Sequence, residues 1–327
     1  MIIDVHGHYM PIIKKANYEN LFKTIKADDG LDYMQIKGKI LGKLDEGLIS
    51  IERQIEDLDK AGIDCRALCI PPFAFNYELS EKKSIEWSIF LNDQMFEDIK
   101  EYGERFIGLA NLPMNSVSEA CKELERTVRD YGFVGAQIAT NINGIELDDE
   151  SLYPFWEKAE NLGAFILLHP HYTTGKERFT DLHLRNIIGN PLDTAIAGIR
   201  IIAGEIFRRF PNLKICLSHS GGYLPLAASR LDHAYEVRPE YSHLDSAPST
   251  YLSRFYYDTI IHDMDALKYI ISKVGIDRIV LGTDYPFDMG DLNPVASIKK
   301  LDVTDNEKRK IISSNAELML KKALEVR

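Results

Sequence analysis

Ile2-Ile3-Asp4-Val5-His6-Gly7-His8 opens the chain with an apolar, β-branched run that ends in two histidines one residue apart. Successive side chains of an extended strand point to opposite faces, so an H-x-H string sends both imidazoles to the same side. That geometry suits two ligands of one metal ion, although a pair of surface histidines near an N-terminus fits the same string. What decides between these readings is how the other apolar runs of the chain end.

Eight such runs can be read, at residues 2–5, 65–70, 106–112, 133–138, 164–168, 213–217, 255–258 and 278–281. Several are apolar almost throughout, as strands buried on both faces should be, and helical patterns lie between them. Ile51, Ile55 and Leu58 recur at i, i+4, i+7, with Gly62 as a stop. Ser116 with Glu119 spells a capping box, and Thr304 with Glu307 repeats it before a last helix. In that helix Ile311, Ile312, Leu318 and Leu320 predict a face in the outer layer of a barrel.

Eight strand–helix alternations in 327 residues predict an α/β fold of the (β/α)8 TIM-barrel type. An open doubly wound sheet should carry a glycine-rich phosphate turn after an early strand, and none is visible. Residues 9–50 are long for a βα connection and weakly periodic, so they read as an insertion after the first strand, over the barrel mouth. No repeat, low-complexity segment or linker divides residues 1–327, which read as one domain.

The residues that follow the runs carry the chemistry. His169 follows Phe165-Ile166-Leu167-Leu168, His219 follows Ile215-Cys216-Leu217-Ser218, and Asp284 follows Val280-Leu281-Gly282-Thr283. In a barrel of this type the C-terminal ends of the strands form the active-site face, so strands one, five, six and eight aim metal-type side chains at one mouth. Taken singly, a buried histidine is more often a hydrogen-bonded core residue and a strand-end aspartate a helix cap. The joint placement favours a metal site of His6, His8, His169 and Asp284. Three imidazoles and a carboxylate suit Zn2+, with Mn2+, Fe2+ or Co2+ compatible, and a further coordination position can take a water whose pKa the metal lowers. His219, in Ser218-His219-Ser220-Gly221-Gly222, reads as a general acid/base, the competing role being a further metal ligand. The glycines beside it predict close approach of backbone to substrate.

Composition narrows the partners. The net charge is −11 and the 39 Lys and Arg form no basic run, which argues against nucleic acid and an anionic membrane surface. Cys65, Cys69, Cys121 and Cys216 form no C-x-x-C pair and read as small core hydrophobes of a reduced, cytoplasmic protein. The first charge comes too early for a signal peptide, and no apolar run approaches membrane-spanning length.

These residues resemble the second amidohydrolase family, and within it the branch that decarboxylates aminocarboxymuconate semialdehyde. The stretches that carry the resemblance are Asp4–His8, Val134-Gly135-Ala136-Gln137-Ile138, His169-Pro170, His219-Ser220-Gly221-Gly222 and Leu281-Gly282-Thr283-Asp284-Tyr285-Pro286-Phe287. The resemblance implies Zn2+ on His6, His8, His169 and Asp284, with His219 activating its water. It also implies that Arg238 reaches a neighbouring subunit's site to bind a substrate carboxylate, which would make the protein a homodimer or higher oligomer. A solvated loop arginine is the alternative for that position. The sequence departs from the family in three places. No arginine lies between His8 and Arg53, His171 replaces an aromatic residue, and Ser220 replaces a glycine.

The reading that follows is a metal-dependent, non-oxidative decarboxylase of a small unsaturated or aromatic carboxylic acid, needing no organic cofactor. Asp284 and His219 would handle protons. A metal-dependent hydrolase of a lactone, ester or amide would use the same residues. A third reading, a metal-binding protein without chemistry, does not account for His219 beside the ligand set.

Overall fold

The structure is a computed structural model that describes residues 1–13 and 18–324. Its strands are β1 (Ile3–His8), β2 (Lys23–Lys26), β3 (Asp32–Ile36), β4 (Lys39–Lys43), β5 (Cys65–Cys69), β6 (Phe106–Asn111), β7 (Gly135–Ala139), β8 (Phe165–His169), β9 (Lys214–Leu217) and β10 (Tyr256–Tyr257). Seven of them form one parallel, curled sheet in the order β1-β5-β6-β7-β8-β9-β10, with helices packed around it in a TIM-barrel-like α/β arrangement. Each strand lies beside its predecessor, as repeated right-handed crossovers require.

The eighth expected strand, 278–281, is not a regular strand. A 3-10 turn at Ile276–Arg278 and a left-handed Asp284 (φ 56°) leave it too little extended backbone. Its peptide groups nevertheless bridge the two sheet edges. Val280 N–H donates to Tyr257 O at 2.9 Å, and Val5 N–H donates to Leu281 O at 2.9 Å.

Alternation along the strands separates two apolar layers. Val5, Ala67, Leu109, Leu167 and Cys216 belong to the cluster inside the sheet, whereas Leu68, Ala110, Ile166 and Leu217 pack with the helices. The last helix does not behave as its periodicity predicts. Ala316, Met319 and Leu320 join the inner cluster, and Leu318 is 70% exposed, so this helix packs against the inner apolar set and not only the outer layer. Three of the cysteines are buried as expected, while Cys121 is only half-buried.

The helix Ile51–Ala61 begins at Ser50, whose side chain accepts from Arg53 N–H, and stops at a left-handed Gly62 (φ 69°). The Thr304/Glu307 capping box forms. The Ser116/Glu119 box does not, because the Ser116 hydroxyl donates instead to Glu81 Oε1 at 2.6 Å and Glu119 pairs with Lys122. Residues 23–43 form an antiparallel sheet in the order β2-β3-β4, turning at Lys37 and Gly38, which both have positive φ. Lys37 pairs with Glu78, which also accepts from the Tyr172 hydroxyl. The tip of this small sheet therefore meets the loops that follow β5 and β8. Among the described residues no helix is long and apolar enough to cross a membrane.

β1 carries an irregularity that matters for the site. Asp4 pairs with Arg66 but Gly7 with Leu68, three residues against two, so one extra residue bulges from β1. Val5 can then fill the inner cluster while both His6 and His8, which follow it, still turn inward. Behind the bulge, the Arg66 guanidinium donates to Asp4 at 2.7 Å and to Gln54 Oε1 at 2.9 Å, and lies 4.0 Å over the Tyr285 ring. Arg66 and Asp4 are both buried. Replacing Arg66 by Met should strand a buried carboxylate and destabilise the fold by about 3–5 kcal/mol. A urea unfolding midpoint equal to that of the parent would show that the pair contributes nothing.

Candidate metal centre

The ends of β1, β8, β9 and the 279–284 run converge on one point. His6 Nε2 lies 3.2 Å from His8 Nε2, and Asp284 Oδ1 lies 3.4, 2.9 and 3.8 Å from the Nε2 atoms of His6, His8 and His169. All four ligand atoms fall within 4.8 Å of one another, and all four residues are buried. Asp284 Oδ2 turns the other way, to His219 Nε2 at 3.4 Å. Of the six residues singled out in the sequence, five therefore meet here.

The outer ring nitrogens are occupied. His6 Nδ1–H donates to Asp258 Oδ2 at 2.8 Å, and His169 Nδ1–H to Pro170 O at 3.0 Å. His8 Nδ1 lies 3.3 Å from Cys69 Sγ, whose thiol donates to Gly7 O. These contacts leave the Nε2 lone pairs facing one another, as hydrogen bonds to the outer nitrogens of metal-binding imidazoles do. His169 Nε2 is buried without a hydrogen-bond partner, which is costly unless something at the centre of the cluster accepts its lone pair. A divalent cation fits that requirement, and the donor set matches one.

The protonation states agree with this. Burial lowers the His8 pKa and drives that of His169 well below its ordinary value. Burial also works against charged His6, but its hydrogen bond to Asp258 and the nearby carboxylates outweigh it and raise its pKa. For Asp284, burial is overcome by His169, His219 and His8, which hold its carboxyl well below the usual range. The set thus presents a carboxylate and two neutral imidazoles, with His6 the ring at which a proton would compete with a cation.

His219 is part-buried and, with Asp284, lines a cavity of about 280 Å3 whose other walls include Asn190, Tyr223, Ile260 and Met289. Gly222 also lines it, but the place of its missing Cβ lies 2.0 Å from Pro191 O. Close packing against the chain thus demands that glycine whatever the substrate does. Arg238 stands apart. It follows the helix Leu224–Val237, is 60% exposed and donates to Glu240 at 2.8 Å, outside the residues that line the cavity.

Two further residues escaped the sequence reading. Asp258 is fully buried against His6, and its signal was its position at the end of the seventh apolar run. The Phe287 ring packs 5.0 Å from that of His8. His171, which stands where the resemblance expects an aromatic ring, lies 4.7 Å from the Tyr172 ring and 6.1 Å from that of Phe75. Burial, then Arg185, Lys37 and Lys176, push its pKa down to about 3, so it is a neutral ring there.

The sequence profile of the amidohydrolase family matches residues 3–322. The chain belongs to the amidohydrolase family. It is 34% identical to 2-amino-3-carboxymuconate-6-semialdehyde decarboxylase from Dictyostelium discoideum over 93% of this chain and 88% of that protein. It is 27% identical to gamma-resorcylate decarboxylase from Polaromonas over 94% and 96% of the two chains. A crystal structure of dihydroxybenzoic acid decarboxylase from Polaromonas, with bound manganese and the inhibitor 2-nitroresorcinol, superposes with a TM-score of 0.79 at 24% identity, covering 98% and 96%. These amidohydrolase relatives are decarboxylases, which favours that reaction over the hydrolytic alternative.

Changing His6, His169 or Asp284 to Ala should each reduce bound divalent metal to well below one equivalent in metal analysis of the purified protein. Full occupancy in any of the three would remove that residue from the centre.

Proposed function

We propose that the chain is a metal-dependent, non-oxidative decarboxylase of a small unsaturated or aromatic carboxylic acid. The observation that carries this reading is the division of labour at Asp284. One of its oxygens faces the three imidazoles, the other faces His219, and of the cluster only Asp284 and His219 line the cavity. His6, His8, His169 and Asp284 would hold the ion. We assign Zn2+ from the histidine-rich donor set, with Mn2+, the ion in the Polaromonas structure, as its competitor and Fe2+ or Co2+ compatible. A bound divalent cation supplies Lewis acidity, to orient a substrate carboxylate and lower the pKa of water.

The chain's own residues do the rest. When the carbon–carboxylate bond breaks, its electron pair stays on the substrate carbon, and that carbon must gain a proton as CO2 leaves. His219, which lines the cavity and has its Nε2 3.4 Å from Asp284 Oδ2, would deliver that proton. Tyr223, Ile260 and Met289 exclude water from an apolar ring or alkene. No step calls for an organic cofactor. In this reading residues 1–327 are one catalytic domain of the (β/α)8 type, with 9–50 an insertion over the mouth. The four cysteines form no disulfide among the described residues, which suits the reducing cytoplasm.

We further propose that Arg238 serves a neighbouring subunit. Its exposure, with Glu240 the guanidinium's one ion-pair partner among the described residues, leaves it able to exchange that contact for a substrate carboxylate across a two-fold interface.

Metal-loaded protein incubated with unsaturated and aromatic acids should evolve CO2, and His219→Ala should keep its metal while losing at least about 10²-fold in rate. Turnover of lactones, esters or amides to new acids without CO2 would instead make it a hydrolase. Arg238→Ala should raise KM on the order of tenfold with metal content unchanged. Mixing it with His219→Ala under subunit exchange should restore activity, because one of the two sites in such a heterodimer is intact. No recovery on mixing would return Arg238 to a surface role.

A further inference from the structure

We infer that Asp258 is a positioning residue that couples the ligand cluster to the His219 loop through a single carboxylate. This rests on the metal centre proposed above. Asp258 follows β10 and is fully buried. Its Oδ2 accepts from His6 Nδ1–H at 2.8 Å and from the His219 backbone N–H at 3.0 Å. Its Oδ1 accepts from the N–H groups of Ser220 at 2.8 Å and Ile260 at 3.2 Å, and its own backbone carbonyl accepts from the Ser220 hydroxyl at 2.8 Å.

Each contact does something different. A carboxylate cannot donate, so it fixes the His6 proton on Nδ1 and leaves the Nε2 lone pair turned to His8 and Asp284. The other contacts act on backbone. His219 and Ser220 both have φ near 53°, uncommon for residues with a side chain, and successive N–H groups in that conformation form an anion-binding nest. Asp258 fills the nest and so sets the angle at which His219 faces Asp284. It also accounts for Ser220 where the family resemblance expects glycine, since the serine hydroxyl joins the same clamp.

The path from β10 to β1 crosses the 279–284 run, and it passes at Gly282. A Cβ at Gly282 would lie 2.7 Å from Asp258 Cβ and 3.2 Å from His6 Cβ. The absent side chain is the gap through which Asp258 reaches His6.

Asp258→Asn keeps the shape but places an amide N–H group against His6 or the nest. Measured by competition with a chromophoric chelator on folded protein, its Zn2+ dissociation constant should rise at least about tenfold. At saturating Zn2+ its kcat should still fall at least about tenfold while KM stays within about twofold, because the nest holding His219 is disturbed. Gly282→Ala should reproduce the loss of affinity with Asp258 present. A lower melting temperature with unchanged Zn2+ affinity and kcat would make Asp258 merely structural and overturn the proposal. If neither variant folds, nitrogen-15 spectra of the Zn2+-loaded parent decide. A His6 proton on Nδ1 supports the clamp and one on Nε2 overturns it. A parent that binds no Zn2+ would instead overturn the metal centre itself.

Discussion

The carbonyl of His6 accepts the N–H groups of both Thr283, at 3.2 Å, and Asp284, at 2.9 Å, and the site depends on that junction. It joins the first strand to the last extended run and sets His8 against Asp284, 276 positions away in sequence. The side chain of Thr283 extends the junction outward, donating to the buried Asp4 carboxylate at 2.6 Å, which in turn holds Arg66. A bulge on one side and a left-handed residue on the other would be costly in isolation. Here they are held together by backbone hydrogen bonds and by a buried ion pair whose charges are compensated on every side.

Electrostatically the centre collects groups that repel or leave one another unsatisfied, and keeps them so. Three imidazole Nε2 atoms and one carboxylate oxygen share a volume in which they cannot all find hydrogen-bond partners. The surroundings compensate at the outer nitrogens, through Asp258, Pro170 and Cys69, and not at the inner ones. Such a cavity is preorganised for a cation, because the cost of gathering the ligands falls on folding and not on binding.

The departures from the family pattern have different physical weights. Ser220 is accommodated, since its left-handed backbone is pinned by Asp258 and its hydroxyl finds a partner. His171 is accommodated as a neutral ring beside Tyr172 and Phe75. The absence of an arginine between His8 and Arg53 is a different matter, because it changes the charge available to a substrate and not the packing.

What the sequence by itself determined is the periodic part. Apolar runs with helical spacing between them specify parallel strands and a curled sheet, and the residues that follow the first, fifth and eighth runs were legible as candidate ligands because the fold type dictates which end of a strand is functional. Local chemistry was legible where its partner is local, as in the Thr304/Glu307 box and the Gly62 stop. The Ser116/Glu119 box failed because Glu81, 35 positions away, offered a better partner. Only tertiary structure decided the rest. The β1 bulge, the irregular eighth strand, the inward packing of Met319 and the reach of Asp258 past Gly282 to His6 all depend on which backbone lies alongside which. Periodicity along one strand carries no information about register against the next, and hydrogen bonds between residues distant in sequence are settled by that register.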